Sequence, residues 1–300
     1  MKFFADTASV AEIEYCFSQH VSDGITTNPK ILETTGDLSG GFEKACKDLL
    51  RRYSHVPISL ETDLRGIDIK DLASKAYRVS DVLLAQAFDI ASWGTNTVIK
   101  IPVCEGGLLA AKKLSEQGVV TNVTACMTPY QALEAAKTGS AYVSLFANRM
   151  LDCNILELTG HSLEEILKNP ELRDGLPVWK DVLVRSTPEF FEQAWAKTVD
   201  EISYVASRLD NTRTQLIVGS IRSPRDIHRI ASARPQVITI PTKIVQFLEK
   251  EGCDIAKLKE TPRTVNPDPS SVSVGDSIYH PMTSYTLEEF EKAADVYRKK

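Results

Sequence analysis

The sequence predicts a (β/α)8 (TIM) barrel, and three observations lead there. Eight short runs rich in Val, Ile, Leu and Thr recur along 300 residues, each followed by a stretch whose apolar positions repeat at helical spacing. The length suits one such barrel. No Gly-rich turn follows the first run, where an open, doubly wound dinucleotide-binding sheet would want one.

The elements fall in order. Residues 2–6 read as strand one, and 9–19 as a helix through Val10, Ile13 and Phe17. Residues 24–27 form strand two, ended by Asn28-Pro29; a helix over 41–53 and strand three at 57–61 follow. A long helical segment, 68–92, broken near Ser80, leads into strand four around Lys100. Next come a helix at 108–117, strand five at 119–124, a helix at 129–138 and strand six at 141–146. A longer loop and helical excursion occupies 151–186, before a helix over 188–209. Strands seven (215–219) and eight (237–240) are followed by helices at 224–232 and 242–251. Within the tail, 253–300, a Pro-, Ser- and Thr-rich loop at 260–276 precedes a last helix, 287–298, expected to pack back on the barrel. No repeat or low-complexity segment interrupts the chain, so residues 1–300 read as a single domain.

Composition narrows the function classes. Hydrophobic residues make up 43% of the chain, enough for a substantial core. The formal net charge of −5 argues against a general nucleic-acid or anionic-membrane binder, so any anionic ligand must be met by local basic residues. The start of the chain lacks a signal-peptide apolar region, and no apolar run reaches membrane-spanning length; a cytoplasmic protein is expected. Six cysteines (16, 46, 104, 126, 153 and 253) form no Cys-x-x-Cys pair and read as reduced, small apolar residues. Five scattered histidines lack metal-ligand spacing, so no metal is expected.

Lys100 is the most informative residue. It lies in Thr97-Val98-Ile99-Lys100-Ile101-Pro102-Val103, a short β-branched run that reads as a strand buried on both faces. Lysine is rarely buried without a partner or a purpose. In apolar surroundings the ammonium loses hydration and the free amine, a nucleophile toward carbonyl carbon, gains ground. The structural alternative is a lysine that snorkels from a strand end or pairs with a buried carboxylate.

A barrel requires its chemistry at the carboxyl ends of the strands. Polar residues gather there: Asp6, Thr27 and Asn28, Glu61, Lys100, Asn122 and Thr124, Ser144 with Arg149 beyond, then Ser220 and Arg222. Singly each has a plain reading, Asp6 as a helix cap and Asn28-Pro29 as a turn. Seven strand ends feeding one rim argue for a site.

At this point a resemblance stands out. Phe4-Ala5-Asp6-Thr7-Ala8, Gly24-Ile25-Thr26-Thr27-Asn28-Pro29 and Ile99-Lys100-Ile101-Pro102 resemble successive motifs of the transaldolase family. So do Thr121-Asn122-Val123-Thr124, the run from Tyr142 to Arg149, and His280-Pro281-Met282-Thr283, in the family's order along nearly the whole chain. The resemblance implies a class I, Schiff-base enzyme without a cofactor, acting on small sugar phosphates, with a homodimer as its implied assembly. Lys100 would attack the ketone, Asp6 would be the acid/base carboxylate, and Glu61 with Thr124 would hold a water for proton transfer. Asn28, Asn122 and Ser144 match groups that bind the three-carbon unit, with Thr27 and Phe146 beside them. Arg149, Ser220 and Arg222 match the phosphate site. The implied reaction transfers a dihydroxyacetone unit from fructose 6-phosphate or sedoheptulose 7-phosphate to an aldose phosphate. The related fructose-6-phosphate aldolase, which releases free dihydroxyacetone, generally has glutamine at the position of Glu61 and tyrosine at that of Phe146; a noncatalytic barrel is the other alternative.

The chain also departs from the pattern. Leu145 replaces a usual proline, Asn148 a usual glycine before the phosphate arginine, and Val103-Cys104-Glu105-Gly106-Gly107 a Thr-containing turn. Asn148 restricts the backbone where glycine would not, which bears on how Arg149 approaches its ligand.

Overall fold

The computed structural model describes residues 1–169 and 188–298. Among them, eight parallel strands close into a barrel in chain order, with β8 paired back onto β1. The strands are β1 (Lys2–Asp6), β2 (Ile25–Thr26), β3 (Ile58–Glu61), β4 (Thr97–Pro102), β5 (Thr121–Cys126), β6 (Tyr142–Phe146), β7 (Gln215–Gly219) and β8 (Val237–Ile240). Around them run α1 (Val10–Ser18), α2 (Pro29–Thr35), α3 (Phe42–Arg52), α4 (Ala76–Ala91), α5 (Glu105–Glu116), α6 (Pro129–Lys137) and α7 (Ala147–Leu158). The second half adds α8 (Leu163–Lys168), α9 (Pro188–Leu209), α10 (Pro224–Ala233), α11 (Thr242–Lys250), α12 (Ile255–Leu258) and α13 (Pro281–Arg298). No helix of the described residues is long and apolar enough to cross a membrane.

The period-2 alternation of strand side chains sorts the residues into two sets. Phe3, Ala5, Ile99, Ile101, Val123, Val143 and Leu145 face outward into the main core between sheet and helices. Inside the barrel, Phe4, Val98, Tyr142, Ile217 and Val237 form a separate apolar plug at the amino ends of the strands. Phe4 and Tyr142 meet edge to face there, with ring centroids 6.0 Å apart. Two residues further along the same strands stand Asp6, Lys100, Ser144, Gly219 and Thr239. The interior thus changes from apolar to polar toward the carboxyl end.

Several boundaries differ from the sequence-based expectation. Asn28-Pro29 does not merely end a strand: Asn28 Oδ1 accepts the Ile31 N–H at 2.8 Å and Pro29 opens α2. The 68–92 segment divides earlier than Ser80, which sits fully buried inside an uninterrupted α4; a short 3-10 turn at Ile69–Asp71 precedes it. Helix α5 starts at Glu105, not 108, because the Cys104 sulfur accepts the Gly107 N–H at 3.2 Å. Gly107 is required here, since a Cβ would lie 2.0 Å from the Pro102 carbonyl oxygen. The excursion does not begin at 151: α7 starts directly after β6 and carries buried Met150, Leu151 and Ile155 onto the barrel. Residues 170–186 of that excursion lie outside the described residues.

Helix α13 begins at Pro281, six residues before the expected 287, and packs against α2, α8 and the end of β5. The Thr283 hydroxyl donates to the Ala125 carbonyl at 3.0 Å, at a point where β5 bulges and Ala125 takes a φ of 62°. The His280-Pro281-Met282-Thr283 motif thereby fastens the C-terminal helix over the carboxyl end of the barrel.

Candidate active site

Lys100 is 4% exposed, and its ammonium is held from two sides. Nζ donates to the Thr27 carbonyl oxygen at 3.0 Å and lies 3.1 Å from Glu61 Oε2. The partner is set by register, since Glu61 on β3 pairs directly with Lys100 on β4. The alternative of a lysine paired with a buried carboxylate is therefore realised, and it coexists with a polar cavity on the same residue. Glu61 Oε2 is close enough to pair with the ammonium charge to charge. It has no hydrogen-bond partner among the described residues, and neither does the fully buried Thr124 hydroxyl.

A cavity of about 210 Å³ opens above Lys100. Of the residues expected from the sequence, Asp6, Asn28, Lys100, Ser144, Phe146, Arg149 and Ser220 line it. Glu61, Thr27, Asn122 and Thr124 do not line it. Asn122 Oδ1 accepts the Ser144 hydroxyl at 2.8 Å, which holds the serine toward the cavity. The Thr27 hydroxyl is spent on the Ser59 carbonyl at 2.7 Å, so Thr27 meets the site through its backbone. A roomier cavity of about 320 Å³, between α13 and the β4–α5 turn, contains none of the expected site residues.

Asp6 accepts the Thr26 hydroxyl at 2.7 Å, and Thr26 in turn contacts the Thr239 hydroxyl. Burial pushes the Asp6 carboxyl above the usual aspartate range, against the opposing pull of Thr26, Lys100 and Thr239. Burial raises Glu61 as well, while the Lys100 charge opposes the shift. Two carboxyls of raised proton affinity thus flank one amine, an arrangement able to move protons around a nucleophile.

The two arginines differ in place. Arg149, on the first turn of α7, lines the cavity, pairs with Glu289 of α13 and lies over the Tyr285 ring at 5.2 Å. Arg222 does not line it; both of its terminal nitrogens donate to the Asp152 carboxylate at 2.8 Å.

Sequence reasoning missed Thr26 and Thr239, which steady Asp6, and Phe290, which α13 lays on the cavity wall. It also missed Lys30, on the first turn of α2, whose neighbour at 2.8 Å is Glu33. Strand alternation could have found Thr26, the register partner of Asp6.

Comparison with known proteins identifies the family. Residues 3–300 match the family model for transaldolase/fructose-6-phosphate aldolase. The chain belongs to that family. It is 30% identical to a probable transaldolase of Anaeromyxobacter sp. (strain K) over 263 residues, 87% of this chain and 94% of the relative. A probable transaldolase of Thermoplasma volcanium is 29% identical over 273 residues, 89% of this chain and 98% of that protein.

Proposed function

We propose that the protein is a transaldolase that moves a dihydroxyacetone unit from a ketose phosphate to an aldose phosphate through a Schiff base on Lys100. The observation that carries this reading is a buried Lys100, paired with Glu61, lining the same cavity as Asp6.

The chemistry follows from the neighbours. Glu61, its proton affinity raised by burial, accepts a proton from Lys100 and frees the amine. Nζ adds to the C2 carbonyl of the ketose to give a carbinolamine. A water held by Glu61 Oε2 and Thr124 Oγ1, two buried oxygens with no hydrogen bond to the described residues, carries the proton that lets hydroxide leave as water. The resulting iminium is an electron sink. Asp6 removes the C4 hydroxyl proton, the C3–C4 bond breaks, and its electron pair neutralises the iminium as an enamine. The aldose phosphate departs, and the enamine attacks the aldehyde of the acceptor by the reverse steps. Asn28 and Ser144, on the cavity wall, bind the hydroxyls of the retained unit, and Arg149 and Ser220 bind the phosphate, while Arg222 stays tied to Asp152 beside them in sequence. Glu61 and Phe146, the positions at which the related aldolase generally differs, favour transfer over release.

The test is borohydride reduction with fructose 6-phosphate, followed by intact mass and peptide mapping. A reduced three-carbon adduct on Lys100 is expected. A six-carbon adduct would show imine formation without cleavage and count against Asp6 as the base or fructose 6-phosphate as the donor. Free dihydroxyacetone accumulating without an acceptor would replace transfer by release.

A further inference from the structure

We infer that Asn148 is a positioning residue that locks together the two arms of the cavity that meet the anionic end of the substrate. The inference rests on the sugar-phosphate reading above. Asn148 is the second residue of α7, directly before Arg149, and is 4% exposed. It is absent from the cavity lining, so it acts through other groups.

Both hydrogens of its amide are used. Nδ2 donates to the Ser220 carbonyl oxygen at 2.7 Å and to Asp226 Oδ2 at 2.7 Å. The same Oδ2 accepts the Arg222 N–H at 2.9 Å and the Ser223 N–H at 3.0 Å, while Oδ1 accepts the Ser223 hydroxyl at 2.6 Å. Asp226 is itself 4% exposed, so four donors compensate one buried carboxylate.

What this network holds is a strained turn. Ser220 has a φ of 64°, a left-handed conformation that costs a residue bearing a Cβ. The conformation sets Ser220 on the cavity wall and sends the chain on to Arg222, whose guanidinium meets Asp152. Asp152 lies on α7 one helical turn after Asn148. Helix α7 therefore grips the β7–α10 turn twice, through the backbone at Asn148 and through Arg222 at Asp152. Arg149 and Ser220, which face one ligand from different elements, are held at a fixed spacing. A glycine at 148 would supply neither bond and leave Ser220 free to relax. Small displacements of binding groups cost affinity and rate steeply.

The experiment compares wild type with Asn148→Gly and, in case glycine unfolds α7, with Asn148→Asp and the double variant Asn148→Asp/Asp226→Asn. Three quantities are read: steady-state constants with fructose 6-phosphate, borohydride trapping of free dihydroxyacetone on Lys100, and calorimetric affinity for inorganic phosphate. For Asn148→Gly, KM for the phosphorylated donor and Kd for phosphate should each rise about tenfold. Dihydroxyacetone trapping should be unchanged. Asn148→Asp, facing Asp226, should be worse, and the double variant should recover part of the loss. Unchanged KM and phosphate affinity would overturn the assignment. Equal loss with both donors would also overturn it, by showing a general structural role. Should wild type trap neither donor, the catalytic reading falls, and phosphate calorimetry still decides the clamp.

Discussion

At the level of single residues, the lysine was legible because burial and charge conflict in one short run, whereas its partners emerge only from register. Nothing in the local sequence says that Glu61 lies opposite Lys100; parallel pairing of β3 and β4 says so. Lys100→Met should abolish the borohydride adduct and lower turnover on the order of 10⁴-fold or more. It should also change stability in a pH-dependent way. Glu61 would be left buried without a cation, and burial already raises its proton affinity. A carboxyl with a folded-state pKa above its unfolded value stabilises fully below the unfolded value, and that contribution is lost as pH rises through the folded one. The variant's melting temperature should therefore fall more steeply than that of wild type from pH 5 to pH 8, with a cost of up to about 3–5 kcal/mol at the alkaline end. A flat difference between the two proteins would mean that Glu61 is not electrostatically tied to Lys100. Asp6 supplies the second residue-scale expectation. A base must be unprotonated, so activity should fail on the acid side at a pH above the ordinary aspartate range of about 3.9. Asp6→Asn should lower turnover by roughly 10²–10⁴-fold and erase that acid limb from the pH–rate profile.

Among elements, the strands were readable and the helices less so. A strand announces itself by a short β-branched run, but the start of α2 depends on an Asn-Pro pair that also reads as a turn. The reach of α13 was hidden for a different reason. Glu289 and Phe290 approach Arg149 and Phe146 from more than a hundred residues away, and no local pattern encodes that contact. The joint between α7 and α9 was equally invisible. Glu201, buried on α9, accepts Asn154 Nδ2 of α7 at 3.3 Å, and the same amide donates to Thr198 at 3.0 Å. Burial pushes the Glu201 carboxyl up to about 7, with Asn154 and the Lys197 charge opposing and Glu157 and Asp200 adding to the rise. The sign follows as for Glu61: the contribution to stability is present below about 4.5 and is lost as pH rises toward about 7. Glu201→Gln keeps an acceptor for Asn154 without the desolvated charge. It should be near neutral at pH 5 and stabilising at pH 8, by at most about 3 kcal/mol. Thermal melts of the two proteins at both pH values measure this directly, and a variant less stable at pH 8 would show the carboxylate to be favourably bound.

For the whole molecule, the barrel was legible because its rule is global: chemistry at the carboxyl ends, an apolar plug at the amino ends, and a core outside the sheet. That outer core carries a prediction of its own. Cys16 on α1, Cys46 on α3, Cys104 at the cap of α5 and Cys126 at the end of β5 sit in different sectors of the ring, yet all belong to one contiguous cluster. All are unpaired thiols. Burial raises them, Cys16 to about 11 and Cys46 and Cys104 to about 12, with Cys126 shifted the same way. At pH 8 a thiol in that range is only about 10⁻³ to 10⁻⁴ thiolate, and the folded chain also withholds it from reagent. Brief alkylation of the native protein should therefore mark Cys253, which is partly exposed, ahead of Cys153, whose thiol burial raises as it does the others, and spare the four buried ones. Longer exposure should label the remaining four through opening of the fold. Because one cluster joins their sectors, and closure of β8 on β1 leaves the sheet without a free edge, the four should share one rate that rises together with urea. Peptide mapping at timed intervals reads each cysteine separately. Four distinct rates, with Cys46 or Cys16 well ahead of Cys126, would mean that the helical ring peels away in parts while the barrel stays closed.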